Sequence, residues 1–86
     1  FLMTKGEYDF EVLNYYYLAL VDLLMGVTYQ ELHNQLKDFE GLEIYEACDG
    51  VKKALEQADK CTIKEIQLEV NIVELELQKQ RDIYED

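Results

Sequence analysis

Carboxylates are the side chains of this sequence best placed to do chemistry, because they outnumber every other ionisable type. The chain has 19 Asp and Glu, 8 Lys and Arg and one His, for a formal net charge of -11. Two groups stand out, one along a predicted C-terminal helix and one around Gly41. The first group is Glu65, Glu69, Glu76 and Asp82, and the second is Glu40, Glu43, Glu46 and Asp49.

Neither group has the pattern of a catalytic or metal site. The sequence contains no Gly-rich phosphate loop and no D-x-D calcium loop beside these carboxylates. His33 has no Cys, Ser or carboxylate arranged around it by spacing, and Cys48 and Cys61 lack the C-x-x-C spacing of zinc sites. We therefore predict a protein that is not an enzyme, with no catalytic residue, cofactor or metal, and with free thiols.

The charge balance indicates which partners the chain can attract. Phosphate neutralisation needs clustered Lys and Arg, so direct binding to nucleic acid or to an anionic membrane is disfavoured. A basic protein is the partner that an acidic surface attracts. Carboxylates along rigid helices imitate backbone phosphates and would fit a basic groove meant for DNA or RNA. Alternatively, the two groups are simply the solvated faces of an acidic protein.

The spacing of apolar residues predicts the elements that carry these side chains. We expect a single all-α domain over residues 1–86, folded as a small four-helix bundle with the C-terminal helix in the centre and a flexible lead-in at 1–7. Gly26 and Gly41 are predicted to end the first two helices. An Asp-Gly pair is a turn signal, so Asp49-Gly50 predicts a break or kink in the third helix. The four helices are expected at approximately 8–25, 28–40, 42–58 and 62–84.

Threonines at two positions indicate helix starts. Thr28 is followed by Glu31, and Thr62 by Glu65, and both pairs have the spacing of a capping box. The second box weighs against a strand reading of residues 66–77, where apolar and polar residues alternate. That alternation also slips by one residue at Ile72-Val73, which a strand could accommodate only with a bulge.

The C-terminal helix carries apolar residues on two opposite sides. One stripe contains Ile66, Val70, Val73 and Leu77. A helix of this kind needs two packing partners, so it is either the central helix of the bundle or it meets another chain. In the second case we expect a homodimer, with its face formed by Leu68, Ile72 and Leu75.

Three consecutive tyrosines on the first helix cannot all point inward. We expect Tyr16 and Tyr17 to be buried and Tyr15 to be exposed, either as an aromatic anchor for a partner or as a partly covered surface residue. The predicted core follows the helical spacing of large apolar residues. It comprises Phe10, Leu13, Tyr17, Leu20, Leu24, Leu32, Leu36, Val51, Leu55, Ile66, Val70, Val73 and Leu77.

Residues 23–32, LLMGVTYQEL, resemble the turn of a helix-turn-helix, in which a small residue ends one helix and Ser or Thr caps the next. The resemblance implies a recognition helix over 29–37. That segment offers only one cation, Lys37, so the phosphate contacts needed to position base contacts are missing. A degenerate helix-turn-helix regulator is therefore kept as an alternative function.

The main functional hypothesis is an acidic, non-enzymatic inhibitor or regulator that binds a basic, nucleic-acid-handling protein. Small acidic helical chains of this class are similar to phage-encoded inhibitors such as anti-CRISPR proteins and to immunity proteins, although no motif identifies either family. A structural protein that forms a helical homodimer is the alternative. No window of eighteen apolar residues and no signal-peptide pattern is present, so we expect a cytoplasmic protein, in the host cell if it is phage-encoded.

Overall fold

The computed structural model describes the backbone of residues 10–85 and the side chains as far as Gln80. This part of the chain forms four α-helices: α1 (Phe10–Leu24), α2 (Tyr29–Gly41), α3 (Tyr45–Lys60) and α4 (Ile63–Glu85). The predicted all-α class is therefore confirmed. The largest difference in helix bounds is the start of α3, at Tyr45 instead of residue 42. The predicted lead-in at residues 1–7 lies outside the described residues.

The predicted capping signals begin two of the helices. The Glu31 backbone N–H donates to Thr28 Oγ1 over 3.1 Å at the start of α2. At the start of α4 the capping box is reciprocal: the Glu65 N–H donates to Thr62 Oγ1 over 3.2 Å, and the Thr62 N–H donates to Glu65 Oε1 over 2.8 Å. Residues 66–77 are helical throughout, and the strand alternative is wrong.

Helices α1 and α3 pack most closely, and Gly50 lies at their crossing. A Cβ atom at Gly50 would lie 2.6 Å from Tyr15 Cβ, 2.7 Å from the Tyr16 backbone N and 2.8 Å from the Val12 carbonyl O. Only glycine allows the two backbones to approach this far. The predicted break at Asp49-Gly50 is therefore wrong, because α3 runs through it unbroken and its glycine is buried against α1.

Helix α4 packs mainly on α1, and α2 packs on α3, so α1 and α3 hold the middle of the bundle. The central position that we predicted for α4 is wrong: α4 is an edge helix. Its inner stripe lies in the core, with Ile66, Val70, Val73 and Leu77 all buried. The opposite stripe has no covering helix in the described part of the chain.

The buried core contains most of the residues that the apolar spacing predicted. Phe10, Tyr17 and Leu24 pack against it and are only partly buried. Tyr16, which we expected to be buried, is 1% exposed. The prediction missed smaller core residues, which are Val12, Ala19, Ala47, Cys48 and Ala54.

Within the described residues, no helix combines the length and the apolar character that a membrane span requires.

Candidate protein-binding surfaces

The turn between α2 and α3 closes α2 with a pair of backbone hydrogen bonds. The Ile44 N–H donates to the Phe39 carbonyl over 3.0 Å, and the Glu43 N–H donates to the Glu40 carbonyl over 3.1 Å. This pair is the Schellman motif, which requires a left-handed residue just past the helix end. Glu43 is that residue, with φ of 60°.

The end of α1 forms the same Schellman motif, with a glycine, the favoured residue type, at the left-handed position. The Val27 N–H donates to the Asp22 carbonyl over 2.9 Å, and the Gly26 N–H donates to the Leu23 carbonyl over 3.3 Å. Gly26 has φ of 99°, which costs glycine little. A residue with a Cβ atom loses about 1–2 kcal/mol in this conformation, so Glu43 is held at a position that disfavours it.

Two large apolar side chains are exposed at the α2 to α3 turn, among carboxylates. Leu42 is 70% exposed and Tyr45 is 65% exposed. Glu40, Glu43 and Asp49 are also exposed, and Glu46 is half-buried. We call this set the acidic patch; its members are Glu40, Leu42, Glu43, Tyr45, Glu46 and Asp49.

Two carboxylates of the acidic patch, Glu40 and Asp49, act on one buried group. Burial raises the pKa of the Cys48 thiol, and the negative charges of Glu40 and Asp49 raise it further, while Lys52 acts in the opposite direction. Glu40 belongs to α2 and Asp49 to α3, so the turn joins charges from both helices on one surface. Glu43 and Glu46 lie between these two carboxylates in the chain, and the role of the second predicted group in partner binding stays a prediction.

The first predicted group of carboxylates does not form one exposed flank. Glu69 is buried, and its Oε2 accepts a hydrogen bond of 2.7 Å from the Tyr16 hydroxyl. Burial raises the pKa of Tyr16, and the hydrogen bond to Glu69 and its negative charge raise it further, so the hydroxyl stays protonated. The expected exposure of Glu69 is therefore wrong, because α1 supplies a donor that brings this carboxylate into the core.

The other members of the first group have different environments. Glu65 is exposed and caps α4, and Glu76 is half-buried. The Asp82 side chain lies outside the described part of the chain. Their role in partner binding stays a prediction.

Tyr15 is not the exposed aromatic anchor that we predicted. It is half-buried, and its ring meets the ring of Phe39 edge to face with centroids 5.7 Å apart. Tyr45 is the exposed tyrosine of this region instead, and it was not among the predicted site residues. Its position just after a helix stop, between Glu43 and Glu46, is the signal that could have identified it.

The outer side of α4 presents the three residues predicted as a dimer face. Leu68 is 62% exposed, Ile72 48% and Leu75 59%. An open depression of about 240 Å³ adjoins them, lined by Asn71, Glu74 and Leu75. The exposure that a dimer face requires is present, and pairing itself stays a prediction.

The remaining candidate residues form no reactive centre in the described residues. Cys48 is buried and Cys61 half-buried, and both are free thiols. His33 is half-buried with its ring against Tyr29, the two centroids 4.7 Å apart. No set of three or more His, Cys, Asp or Glu residues in this part of the chain is arranged to hold a metal ion.

The resemblance to a helix-turn-helix is limited to Gly26, which ends α1, and Thr28, which caps α2. The basic residues that a recognition helix needs are missing from α2. Helix α2 carries Lys37 as its one basic residue, with Glu31, Asp38 and Glu40 exposed on the same helix. Helix α2 also packs on α3, and its contact with α1 is slight.

No protein-family model, curated protein or solved structure gives a significant match to the chain.

Proposed function

We propose that this chain is a non-enzymatic protein-binding module that inhibits or regulates a basic, nucleic-acid-handling protein in the cytoplasm. The acidic patch is the surface that makes the contact. The observation that carries the proposal is the exposure of Leu42 and Tyr45 at a turn whose neighbouring residues in α2, the turn itself and α3 include four carboxylates.

The composition of the acidic patch defines the chemistry of the partner. Exposed tyrosine is enriched among residues that dominate binding energy, and a surrounding polar rim excludes water from such an anchor. The rim here is negative, so it attracts Lys and Arg and repels acidic proteins. A protein surface that binds phosphates and has an apolar recess beside its cations meets both requirements. Occupying that surface would prevent nucleic acid from binding there.

Neutralising the acidic patch while keeping its shape tests the proposal. The variant Glu40→Gln/Glu43→Gln/Asp49→Asn removes three negative charges from the patch. A matched control, Glu11→Gln/Glu31→Gln/Glu56→Gln, removes three from exposed positions elsewhere. Both proteins have the same net charge, so a difference between them reports the location of the charge.

Each protein is immobilised, and bound proteins are quantified from a lysate of the source organism at low and at moderate salt. We expect the control variant to capture as much of the partner as the unmodified chain does. The patch variant should capture at least ten-fold less. We also expect capture to fall as salt rises, since the attraction is screened. Equal capture by the two variants would show that the acidic patch is not the binding surface.

A further inference from the structure

The outer side of α4 is apolar at its centre and charged at its two ends. Leu68, Ile72 and Leu75 follow one another at intervals of four and three residues, the spacing of a helix-pairing seam. Exposed aliphatic residues at this spacing mark an interaction surface more specifically than scattered ones do. We call Glu65, Leu68, Ile72, Leu75 and Lys79 together the outer face.

The charged ends of the outer face are placed symmetrically. Glu65 and Lys79 are both exposed, and each lies seven residues from Ile72. Seven residues are close to two helical turns, so the two charges lie on the same side as Ile72, about 10 Å from it in opposite directions. If the helix direction is reversed about Ile72, the position of Glu65 coincides with that of Lys79, which carries the opposite charge.

We propose that two copies of the chain pair through their outer faces, with the two α4 helices antiparallel about a twofold axis at Ile72. In this arrangement Glu65 of each copy meets Lys79 of the other, and Leu68 lies beside Leu75 of the other copy. Parallel pairing would instead bring the two Glu65 carboxylates together and the two Lys79 ammonium groups together. A twofold interface uses the same patch on both copies, as this face permits.

The local charge favours a second copy over a basic partner. Lys64, next to Glu65, and Lys79, at the other end of the face, are both exposed. Gln67 and Asn71, both uncharged, border the apolar residues, and Glu74 lies beside Leu75, so two cations and two carboxylates are present around this face. The strong negative charge of the molecule is thus not concentrated here. Two chains that are negative overall still repel at long range, so salt should strengthen this pairing, whereas it weakens binding at the acidic patch.

Sedimentation equilibrium of the whole chain over a concentration series tests the pairing. We expect a reversible monomer–dimer equilibrium in the micromolar range, tighter at high salt. Ile72→Glu places two like charges at the twofold axis and should leave only monomer. Leu18→Glu is the matched control, since Leu18 on α1 is 47% exposed, and it should dimerise normally. A chain that is monomeric at all concentrations, or a dimer that Ile72→Glu does not weaken, would overturn the proposal.

Reversing the end charges tests the antiparallel arrangement separately. Lys79→Glu replaces two attractive contacts by two repulsive ones, so it should weaken the dimer by about ten-fold. Glu65→Lys does the same and also removes the capping hydrogen bond from the Thr62 N–H, so it is compared with Glu65→Ala, which loses only the cap and the attraction. The double variant restores opposite charges across the interface and should recover most of the affinity. Circular dichroism of each variant verifies that the helices are intact. Single variants that dimerise as well as the unmodified chain, or a double variant no better than either, would exclude this register.

Discussion

Among the carboxylates whose side chains the structure describes, Glu69 alone is buried, and the Tyr16 hydroxyl donates a hydrogen bond to it. The two residues are 53 positions apart in sequence and 2.7 Å apart in space. A hydrogen bond to an ionised acceptor contributes more than a neutral one, and in the core it also fixes which side of α4 faces α1. The pair therefore positions α4, and with it the outer face.

Replacing Tyr16 by Phe should destabilise the protein by about 1.5–3 kcal/mol at neutral pH, because Glu69 loses a charge-assisted hydrogen bond. The loss should shrink at alkaline pH. The unfolded chain releases the Tyr16 proton near its ordinary pKa of 10.0, whereas the folded chain keeps it. The folded state then binds more protons, so the stability that Tyr16 contributes is complete below pH 10 and falls above it.

Urea unfolding of both proteins from pH 7 to pH 11 measures this difference. Tyr45→Phe is the control, since it removes a hydroxyl from an exposed ring and should change stability little. A Tyr16→Phe loss that stays constant up to pH 11 would contradict the assignment of a protonated, buried hydroxyl.

The ends of α1 and α2 form a natural comparison, because the same motif is closed by Gly26 in one and by Glu43 in the other. Glycine is the residue that this backbone conformation favours. At the end of α2, Glu43 places a carboxylate between Leu42 and Tyr45 in the chain, and this choice of residue lowers the stability of the fold relative to glycine. A residue that costs stability at an exposed turn is a candidate for selection by function.

Glu43→Gly should raise the free energy of unfolding by roughly 1 kcal/mol, since it relieves the left-handed strain. Glu43→Gln keeps the Cβ atom and removes only the charge, so its stability should match that of the unmodified chain. Chemical denaturation of the three proteins under one set of conditions separates the two effects. If Glu43→Gln stabilises as much as Glu43→Gly, charge repulsion and not backbone strain would be the cause.

The features that the sequence predicted correctly depend on residues that are close together in the chain. A hydroxyl and a carboxylate three residues apart define the start of α4, and apolar spacing defines its inner stripe, so both could be predicted. The role of Gly50 could not, because an Asp-Gly pair is a turn signal locally and only the approach of α1 makes it a packing site. The Tyr16 to Glu69 contact has no local signal at all.

The candidate surfaces were predictable to different degrees. Counting carboxylates located the cluster around Gly41, and the two stripes of α4 located Leu68, Ile72 and Leu75. The edge position of α4 was not predictable, because an apolar outer stripe fits a central helix and an interface equally well. The exposure of Leu42 and Tyr45 depends on where the turn between α2 and α3 lies. The predicted start of α3 was three residues too early, at residue 42, so the prediction placed both residues inside the helix.

At the scale of the whole molecule, the two proposals predict opposite responses to salt for the two surfaces. The acidic patch attracts cations, and its binding should weaken as ions screen that attraction. The outer face is apolar and locally balanced, and its pairing should strengthen as the repulsion between two acidic chains is screened. The two proposals can fail independently, since each surface is altered by its own variants.

Competition with nucleic acid tests whether the acidic patch occupies the nucleic-acid-binding surface of the partner. The partner captured by the unmodified chain is purified and loaded with a fluorescently labelled nucleic acid that it binds, and the chain is then titrated in while anisotropy is recorded. We predict displacement by the unmodified chain and by Glu11→Gln/Glu31→Gln/Glu56→Gln, with Glu40→Gln/Glu43→Gln/Asp49→Asn at least ten-fold weaker. Anisotropy that stays constant while the chain binds the partner, or equal displacement by both variants, would contradict the account.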